Sequence, residues 1–149
     1  MSESTSPLRE PGDDYEAQDA PPARPLGRIL IVDDFPDAVE MYRMYFAHSG
    51  YQVLTARDGL AAVAMALRSV PDVIVMDLSM PRLDGIKATR ELRGQRRTRH
   101  IPIILLTGFP ERAIREGAIE AGADMFLTKP CLPDDLEGHV RRLMEGRIK

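Results

Sequence analysis

Acidic, hydroxyl and basic side chains stand just after four short apolar runs of this sequence. In chain order they are Asp33, Asp34, Asp77, Thr107 and Lys129. Three carboxylates brought together repel one another, which raises their pKa values unless a cation joins them. Such oxygen ligands suit Mg²⁺, which shares its coordination shell with waters and phosphate. A hydroxyl and an ammonium group can contact the other phosphate oxygens, and a carboxylate can be the nucleophile. The set therefore indicates Mg²⁺-dependent phosphoryl transfer onto an aspartate, without selecting which one.

The apolar runs alternate with longer stretches of helical periodicity. The runs cover residues 29–32, 52–55, 73–76, 103–106 and 125–127. Because they are apolar at consecutive positions, they are typical of parallel strands buried on both faces. Strand followed by helix, five times over, predicts an α/β fold with a five-stranded parallel sheet, doubly wound, and helices on both faces. In the flavodoxin-like strand order 2-1-3-4-5, strands 1, 3, 4 and 5 are neighbours. Their carboxyl ends then carry all the polar residues above into one pocket.

Five helices are expected between and after these strands. In the first, one apolar stripe predicts the face that packs on the sheet: Ala38, Met41, Tyr42, Tyr45 and Phe46. Val39 and Met44 are expected to project outward from the same helix. The second helix is predicted from about Asp58 to Arg68, and the third starts near Asp84. The fourth begins after Pro110 and ends at Gly122, and the last begins at Pro133.

Composition divides the chain into two parts. Residues 1–25 contain five prolines, and their six acidic side chains against two arginines give them a net charge of −4. The rest of the chain therefore carries +1 of the total −3. Few large apolar side chains occur in the first part, so residues 1–27 are predicted to be a disordered acidic, proline-rich tail. Residues 28–147 are predicted to be a single domain.

Composition also limits the setting in which the protein works. The longest apolar run, 60–67, is too short to span a bilayer, and the N-terminus lacks a signal-peptide pattern. The single cysteine, Cys131, excludes an intrachain disulfide and suits a reducing compartment. We therefore expect a cytoplasmic protein with no membrane contact. The net charge of −3 argues against a general nucleic-acid binder. The arginines at 90, 93, 96, 97 and 99 are interpreted as a solvated helix end and loop.

The polar motifs resemble those of the receiver domains of bacterial two-component response regulators, of which the chemotaxis response regulator is the minimal example. The pieces are Ile31–Asp34, Val75–Pro81, Asp84-Gly85, Leu106–Gly108 and Leu127–Pro130. The resemblance covers roughly residues 28–147. It implies a phosphorylatable switch rather than an enzyme. A histidine kinase or histidine phosphotransfer protein would supply the phosphoryl group, and the face formed by helix 4, strand 5 and helix 5 would then control a partner protein.

The resemblance also gives the acidic residues separate roles. Asp77 corresponds to the phosphate acceptor. Asp34 corresponds to a direct Mg²⁺ ligand, and Asp33 to an acid that acts on the metal mainly through water. The backbone carbonyl of Ser79 completes the protein's contribution to the metal.

Three further residues correspond to the parts that sense the phosphoryl group. Lys129 matches the residue that pairs with Asp77 and then with the phosphate, and its bond to Pro130 is expected to be cis. Thr107 matches the hydroxyl that moves toward the phosphoryl oxygen. Phe126 matches the aromatic position that turns inward when Thr107 moves, although a phenylalanine on a strand is as often an ordinary core residue.

One departure from the family pattern bears on how long the phosphate would last. Side chains two positions after the acceptor and two after the switch threonine tune attack by water in the family. Here these are Ser79 and Phe109. An apolar ring cannot orient a water molecule, so slow hydrolysis is expected.

Other interpretations stay open at this stage. A haloacid-dehalogenase-type phosphatase also uses an aspartate after a strand, but it needs a second acid where Ser79 stands. The chain could also be a receiver cut from a longer DNA-binding or kinase protein, although no output domain is expected within these 149 residues. The sequence names neither the kinase nor the output partner. It also leaves open whether phosphorylation drives dimerisation.

Overall fold

A computed structural model of the protein describes residues 25–148, and in these residues strands and helices alternate strictly. The strands are β1 (Arg28–Val32), β2 (Gln52–Ala56), β3 (Val73–Asp77), β4 (Ile103–Thr107) and β5 (Met125–Thr128). The helices are α1 (Pro36–His48), α2 (Gly59–Ser69), α3 (Gly85–Arg93), α4 (Arg112–Ala121) and α5 (Pro133–Ile148). Of the predicted tail, residues 1–24 lie outside the described residues. No helix in the described part is both long and apolar enough to cross a membrane.

The five strands form one parallel sheet in the order β2-β1-β3-β4-β5, which confirms the predicted fold. The register fixes where the polar residues end up. Val32 pairs with Met76, Asp77 with Leu106, and Thr107 with Thr128. The ends of β1, β3, β4 and β5 are therefore nearly level, and the residues that follow them share one edge of the sheet.

Each strand sends alternate side chains to opposite faces of the sheet. Ile29 and Ile31 pack with Phe46 of α1 in one core, whereas Leu30 and Val32 pack in another. The first core lies under α1 and α5, and the second under α2, α3 and α4. β1, β3 and β4 are buried on both faces, which explains why their sequences are apolar at consecutive positions.

The predicted orientation of α1 is wrong in part. Val39, expected to point outward, is only 8% exposed, whereas Met41, expected to face the sheet, is 45% exposed. The buried line runs through Val39, Tyr42 and Phe46, which also have helical spacing. Apolar residues on three sides of α1 allowed two stripes that share Tyr42 and Phe46, and contacts with the sheet select the one with Val39. Met44 is exposed, as expected.

Asp58 and Asp84 begin α2 and α3, as the sequence predicts. The Asp58 carboxylate accepts a hydrogen bond from the Ala61 N–H at 2.8 Å, and Asp84 accepts one from the Lys87 N–H at 2.9 Å. These side chains satisfy backbone donors that a helix N-terminus leaves without partners. The loop between β3 and α3 therefore ends at a defined point next to Asp77.

The arginine-rich end of α3 is partly structural rather than only solvated. Arg93 donates hydrogen bonds to the carbonyls of Gly122 and Ile101, at 2.9 and 2.6 Å, and forms an ion pair with Asp124. Arg97 donates to the carbonyl of Leu67 at 2.6 Å. These bonds join the ends of α2, α3 and α4 at the side of the sheet opposite the polar pocket.

Candidate functional site

Three carboxylates meet at the carboxyl ends of β1 and β3. One oxygen from each of Asp33, Asp34 and Asp77 lies within 4.8 Å of the other two. Asp33 and Asp77 are only 2% and 7% exposed, whereas Asp34 is exposed. The cluster therefore has two deep acids and one that faces solvent. This is a donor set that a hard divalent cation can enter from one side.

Lys129 reaches into this cluster from the end of β5. Its Nζ lies 3.1 Å from Asp33 Oδ2 and 3.2 Å from Asp77 Oδ1. The pairing with Asp77 that the family resemblance implies is therefore present in the geometry, together with a second pairing with Asp33. One ammonium group faces three carboxylates, so the site keeps an excess of negative charge.

Burial and the neighbouring charges together determine the pKa of Asp77. Burial and the nearby Asp33 carboxylate raise the pKa of Asp77 above its usual value, although Lys129 partly offsets them. Burial lowers the pKa of Lys129, but contacts with Asp33 and Asp77 outweigh this effect and raise it overall. Lys129 therefore stays protonated at neutral pH and supplies a fixed positive charge beside Asp77.

The two oxygens of Asp33 are already engaged. Oδ1 accepts a hydrogen bond from the Phe35 N–H at 2.9 Å, and Oδ2 accepts one from Lys129. Neither Asp33 nor Asp34 caps α1, whose first turn receives no side-chain cap. Asp34 is thus the acid of this pair that is turned toward solvent rather than committed to the fold.

Thr107 lies in the pocket wall, 2% exposed, at the end of β4. Its Oγ1 accepts a hydrogen bond from the backbone N–H of Phe109 at 3.0 Å. Its carbonyl accepts one from the Lys129 N–H at 2.7 Å. The hydroxyl and the lysine therefore come from adjacent backbone segments, and the loop after β4 is tied to the threonine side chain. The Lys129–Pro130 bond is cis, as expected.

The loop after β3 approaches Asp77 closely. The Gly85 N–H donates to the Leu78 carbonyl at 2.8 Å, and a Cβ on Gly85 would lie 2.8 Å from the Asp77 carbonyl oxygen. Only glycine fits there. Within the described residues, the Ser79 carbonyl accepts no hydrogen bond, so it is available to a ligand.

Phe126 lies on β5 opposite Leu105 and is partly buried against the core under α2, α3 and α4. The ring is therefore half-buried in this structure. Its role as a switch remains a prediction, because a single conformation does not test movement of the ring.

Two features of the site were missed from the sequence. The hydroxyl of Tyr42 donates a 2.6 Å hydrogen bond to the Cys131 carbonyl, two residues after Lys129, although Tyr42 was counted only as part of an apolar stripe. Gly59 lets α2 approach the β3–α3 loop, since a Cβ there would lie 2.1 Å from the Leu83 carbonyl oxygen. A hydroxyl within a buried stripe is the one sequence signal that pointed to the first feature.

A mostly apolar groove lies beside the site, between α1 and the loop that leads into α5. Its volume is about 430 Å³. It is lined by Phe35, Ala38, Met41, Tyr42, and residues 129–133. Lys129 forms part of its wall, so the groove leads directly to the acidic cluster. Cys131 is half-buried there, and burial raises the pKa of its thiol.

Residues 29–141 match the family described as the response regulator receiver domain. Response regulator PleD of Caulobacter vibrioides is 42% identical over 121 residues, which are 81% of this chain and 27% of PleD. The signal receiver domain of a signal transduction histidine kinase from Syntrophus aciditrophicus has a TM-score of 0.75 and 41% identity, covering 80% of this chain and 91% of that one.

The receiver domain of sensor histidine kinase PA1611 from Pseudomonas aeruginosa, solved with a magnesium ion coordinated in the active site cleft, has a TM-score of 0.75 and 36% identity. The match covers 80% of this chain and 98% of that one. The fold, the acidic cluster and these matches agree: the chain belongs to the response regulator receiver domain family and is a signalling switch of two-component systems. The chain spans 27% of the length of PleD and about half the length of other curated relatives that it matches.

Proposed function

We propose that Asp77 accepts the phosphoryl group that operates this receiver domain. An Asp77 carboxylate oxygen attacks the phosphorus of a phosphohistidine. The new oxygen–phosphorus bond forms as the phosphorus–nitrogen bond breaks, and the imidazole keeps the electron pair and takes up a proton. The observation that carries the proposal is the convergence of three carboxylates within 4.8 Å, with Lys129 3.2 Å from Asp77.

The donor set fits Mg²⁺, the proposed metal. Asp34 faces solvent, the Ser79 carbonyl has no hydrogen-bond donor among the described residues, and one oxygen of Asp77 lies within 4.8 Å of an oxygen of Asp34. Asp34, Asp77 and the Ser79 carbonyl would hold the ion, while Asp33, whose two oxygens are engaged, would act on it through water. When bound, Mg²⁺ neutralises negative charge on the transferring group and on the carboxylates.

Lys129 and Thr107 are proposed to receive the phosphoryl oxygens. Lys129 already contacts Asp77, so its ammonium needs only a small movement to pair with a group attached there. Thr107 Oγ1 is held by the Phe109 N–H. Movement of the hydroxyl toward the phosphate would therefore move the loop after β4, and with it the face formed by α4, β5 and α5. Phe126 would follow by turning inward.

Two protein partners are proposed, on different faces. A histidine kinase or histidine phosphotransfer protein would dock at the apolar groove beside Lys129, where Met41 is 45% and Leu132 62% exposed. An output protein would read the α4–β5–α5 face. The domain carries little net charge, so protein rather than nucleic acid is the proposed contact, and its lone cysteine suits the cytoplasm.

We assign the domain the role of a switch without a catalytic output of its own. The phosphatase alternative lacks support, since the exposed Ser79 stands where a second acid would be needed. In a longer protein, any catalytic activity would belong to other domains.

Labelling with a small phosphodonor tests the acceptor. The wild-type protein is incubated with acetyl phosphate and Mg²⁺, and the intact mass is measured. Wild type is expected to gain one phosphoryl group, and Asp77→Asn none. The matched control is Asp37→Asn, an exposed acid in the first turn of α1, which should label like wild type. Full labelling of Asp77→Asn would overturn the proposal.

A further inference from the structure

Tyr42 connects α1 to the segment that carries Lys129. Its side chain is 4% exposed, and its hydroxyl donates a 2.6 Å hydrogen bond to the carbonyl of Cys131, 89 residues further along the chain. Burial raises the pKa of Tyr42 to about 12, so the phenol stays protonated at neutral pH. The bond is therefore a neutral one between a helix and a loop.

The segment 129–131 is anchored on two sides. The Lys129 N–H donates to the Thr107 carbonyl at 2.7 Å, which ties the start of the segment to β4. The Tyr42 hydroxyl ties its end to α1. Without the second anchor, the backbone after Pro130 is held by the packing of Cys131 against the core under α1 and α5 and by the chain that leads into α5.

The position of this backbone decides what the lysine can reach. A lysine side chain has a flexible four-carbon stem, which gives it little preference for one direction. Yet Nζ lies within 3.2 Å of oxygens on both Asp33 and Asp77. Because the two acids come from different strands, a shift of the backbone would lengthen at least one of these contacts unless the lysine stem changed its conformation.

We propose that Tyr42 is a positioning residue whose hydroxyl, through the Cys131 carbonyl, holds Lys129 where it meets the phosphoryl group on Asp77. Among the described residues, the hydroxyl of Tyr42 donates its hydrogen bond to the Cys131 carbonyl and to neither acid, so we infer that it acts through the backbone of residues 129–131. The inference rests on the proposed roles of Asp77 and Lys129. The proposal gives the hydrogen bond between Tyr42 of α1 and the Cys131 carbonyl a role in the rate of phosphorylation.

Tyr42→Phe removes the hydroxyl and keeps the ring. Labelling by acetyl phosphate with Mg²⁺ is expected to slow about threefold to tenfold, the range of a single neutral hydrogen bond. The matched control is Tyr45→Phe on the same helix, since the Tyr45 hydroxyl donates to no described residue. It should label at the wild-type rate. An unchanged rate for Tyr42→Phe overturns the inference.

A double-mutant cycle separates positioning from general loss of structure. In a Lys129→Ala background, Tyr42→Phe should leave the remaining rate unchanged, because the residue through which it acts is absent. A merely structural role predicts the same fold-loss in both backgrounds, and that result overturns the inference. Labelling of Asp77→Asn would instead overturn the proposed acceptor, so the two failures are distinguishable.

Lysine-selective ¹³Cε labelling gives a second measurement that does not depend on the labelling rate. The chain has three lysines, Lys87, Lys129 and Lys149, so the spectrum holds three side-chain signals. Tyr42→Phe should shift the Lys129 signal and leave the other two in place, while Tyr45→Phe shifts none. A Lys129 signal at its wild-type position in Tyr42→Phe contradicts the inference.

Discussion

The free energy of ionising Asp77 is the sum of opposing effects from burial and from the neighbouring charges. Burial and the Asp33 carboxylate raise its pKa, and Lys129 only partly compensates. A carboxyl group with a higher pKa in the folded than in the unfolded state favours folding at low pH. That contribution is lost as the pH rises through the folded-state value. In the metal-free protein at neutral pH, Asp77 is therefore a cost to stability.

Replacing Asp77 by asparagine should relieve this cost. Asp77→Asn is expected to raise the midpoint of thermal unfolding at neutral pH in EDTA. The gain should shrink as the pH falls and disappear below about pH 3, where the carboxyl is protonated in both states. Added Mg²⁺ should stabilise wild type more than the variant. Unfolding curves over this pH range provide the measurement, and a variant less stable than wild type at neutral pH in EDTA would contradict the account.

We expect Phe109 to influence how water reaches the proposed aspartyl phosphate. Its N–H is bonded to Thr107 Oγ1, and its ring is 67% exposed and carries no group that could orient water. Phe109→Glu supplies such a group and should shorten the phosphorylated lifetime several-fold, since a well-placed base contributes about 10²–10⁴ in rate.

The loss of label after removal of the phosphodonor measures that lifetime. Phe109→Ala separates the loss of bulk from the gain of a base. It should change the lifetime less than Phe109→Glu does. Equal decay rates for wild type and Phe109→Glu would contradict the proposed role of Phe109 in slowing hydrolysis.

Elements of the fold bring these residues together, and the contact between α2 and the β3–α3 loop is a close one. Gly59 begins α2 at a point where a Cβ would lie 2.1 Å from the Leu83 carbonyl oxygen, and Asp58 pairs with Arg82 of the same loop at 3.4 Å. Arg82 itself has a positive φ of 67°, which costs a non-glycine residue free energy. The loop that carries Ser79 is thus held in place by close backbone packing.

Gly59→Ala should push this loop away. A Cβ would lie 2.1 Å from the Leu83 oxygen, so the variant should lose about 1–3 kcal/mol of unfolding free energy and bind Mg²⁺ more weakly. Urea unfolding and a Mg²⁺ titration measure the two effects. Gly138→Ala on α5, where a Cβ meets nothing within 4 Å, is the control and should gain about 0.5–1 kcal/mol. Wild-type Mg²⁺ affinity in Gly59→Ala would show that the loop tolerates the displacement.

Strands were predictable from the sequence because burial on both faces leaves consecutive apolar residues, and their polar ends follow from the parallel arrangement. The face of α1 that packs on the sheet was not predictable. Tyr42 and Phe46 belong to two overlapping apolar stripes, and only contacts with the sheet select one of them. The second partner of Lys129, Asp33, and the bond from Tyr42 to Cys131 also escaped prediction. Both depend on distances between segments far apart in the chain, which residue spacing does not encode.

At the scale of the whole molecule, the proposed input and output surfaces adjoin one site. The acidic cluster lies at one edge of the sheet, the apolar groove beside α1 includes Lys129 in its lining, and the proposed output face consists of α4, β5 and α5. A charge added at Asp77 would reach that face through the two backbone segments joined by the hydrogen bond from Lys129 to Thr107.

Mapping the phosphoryl group over the full chain tests the central claim most directly. The sequence holds 23 acidic side chains, and the proposal selects one of them. Protein labelled by acetyl phosphate with Mg²⁺ is reduced with borohydride, which converts an aspartyl phosphate to homoserine, and its peptides are sequenced by mass spectrometry. The account predicts homoserine at position 77 and aspartate at positions 33 and 34. Homoserine at either of those positions, with Asp77 intact, would contradict it.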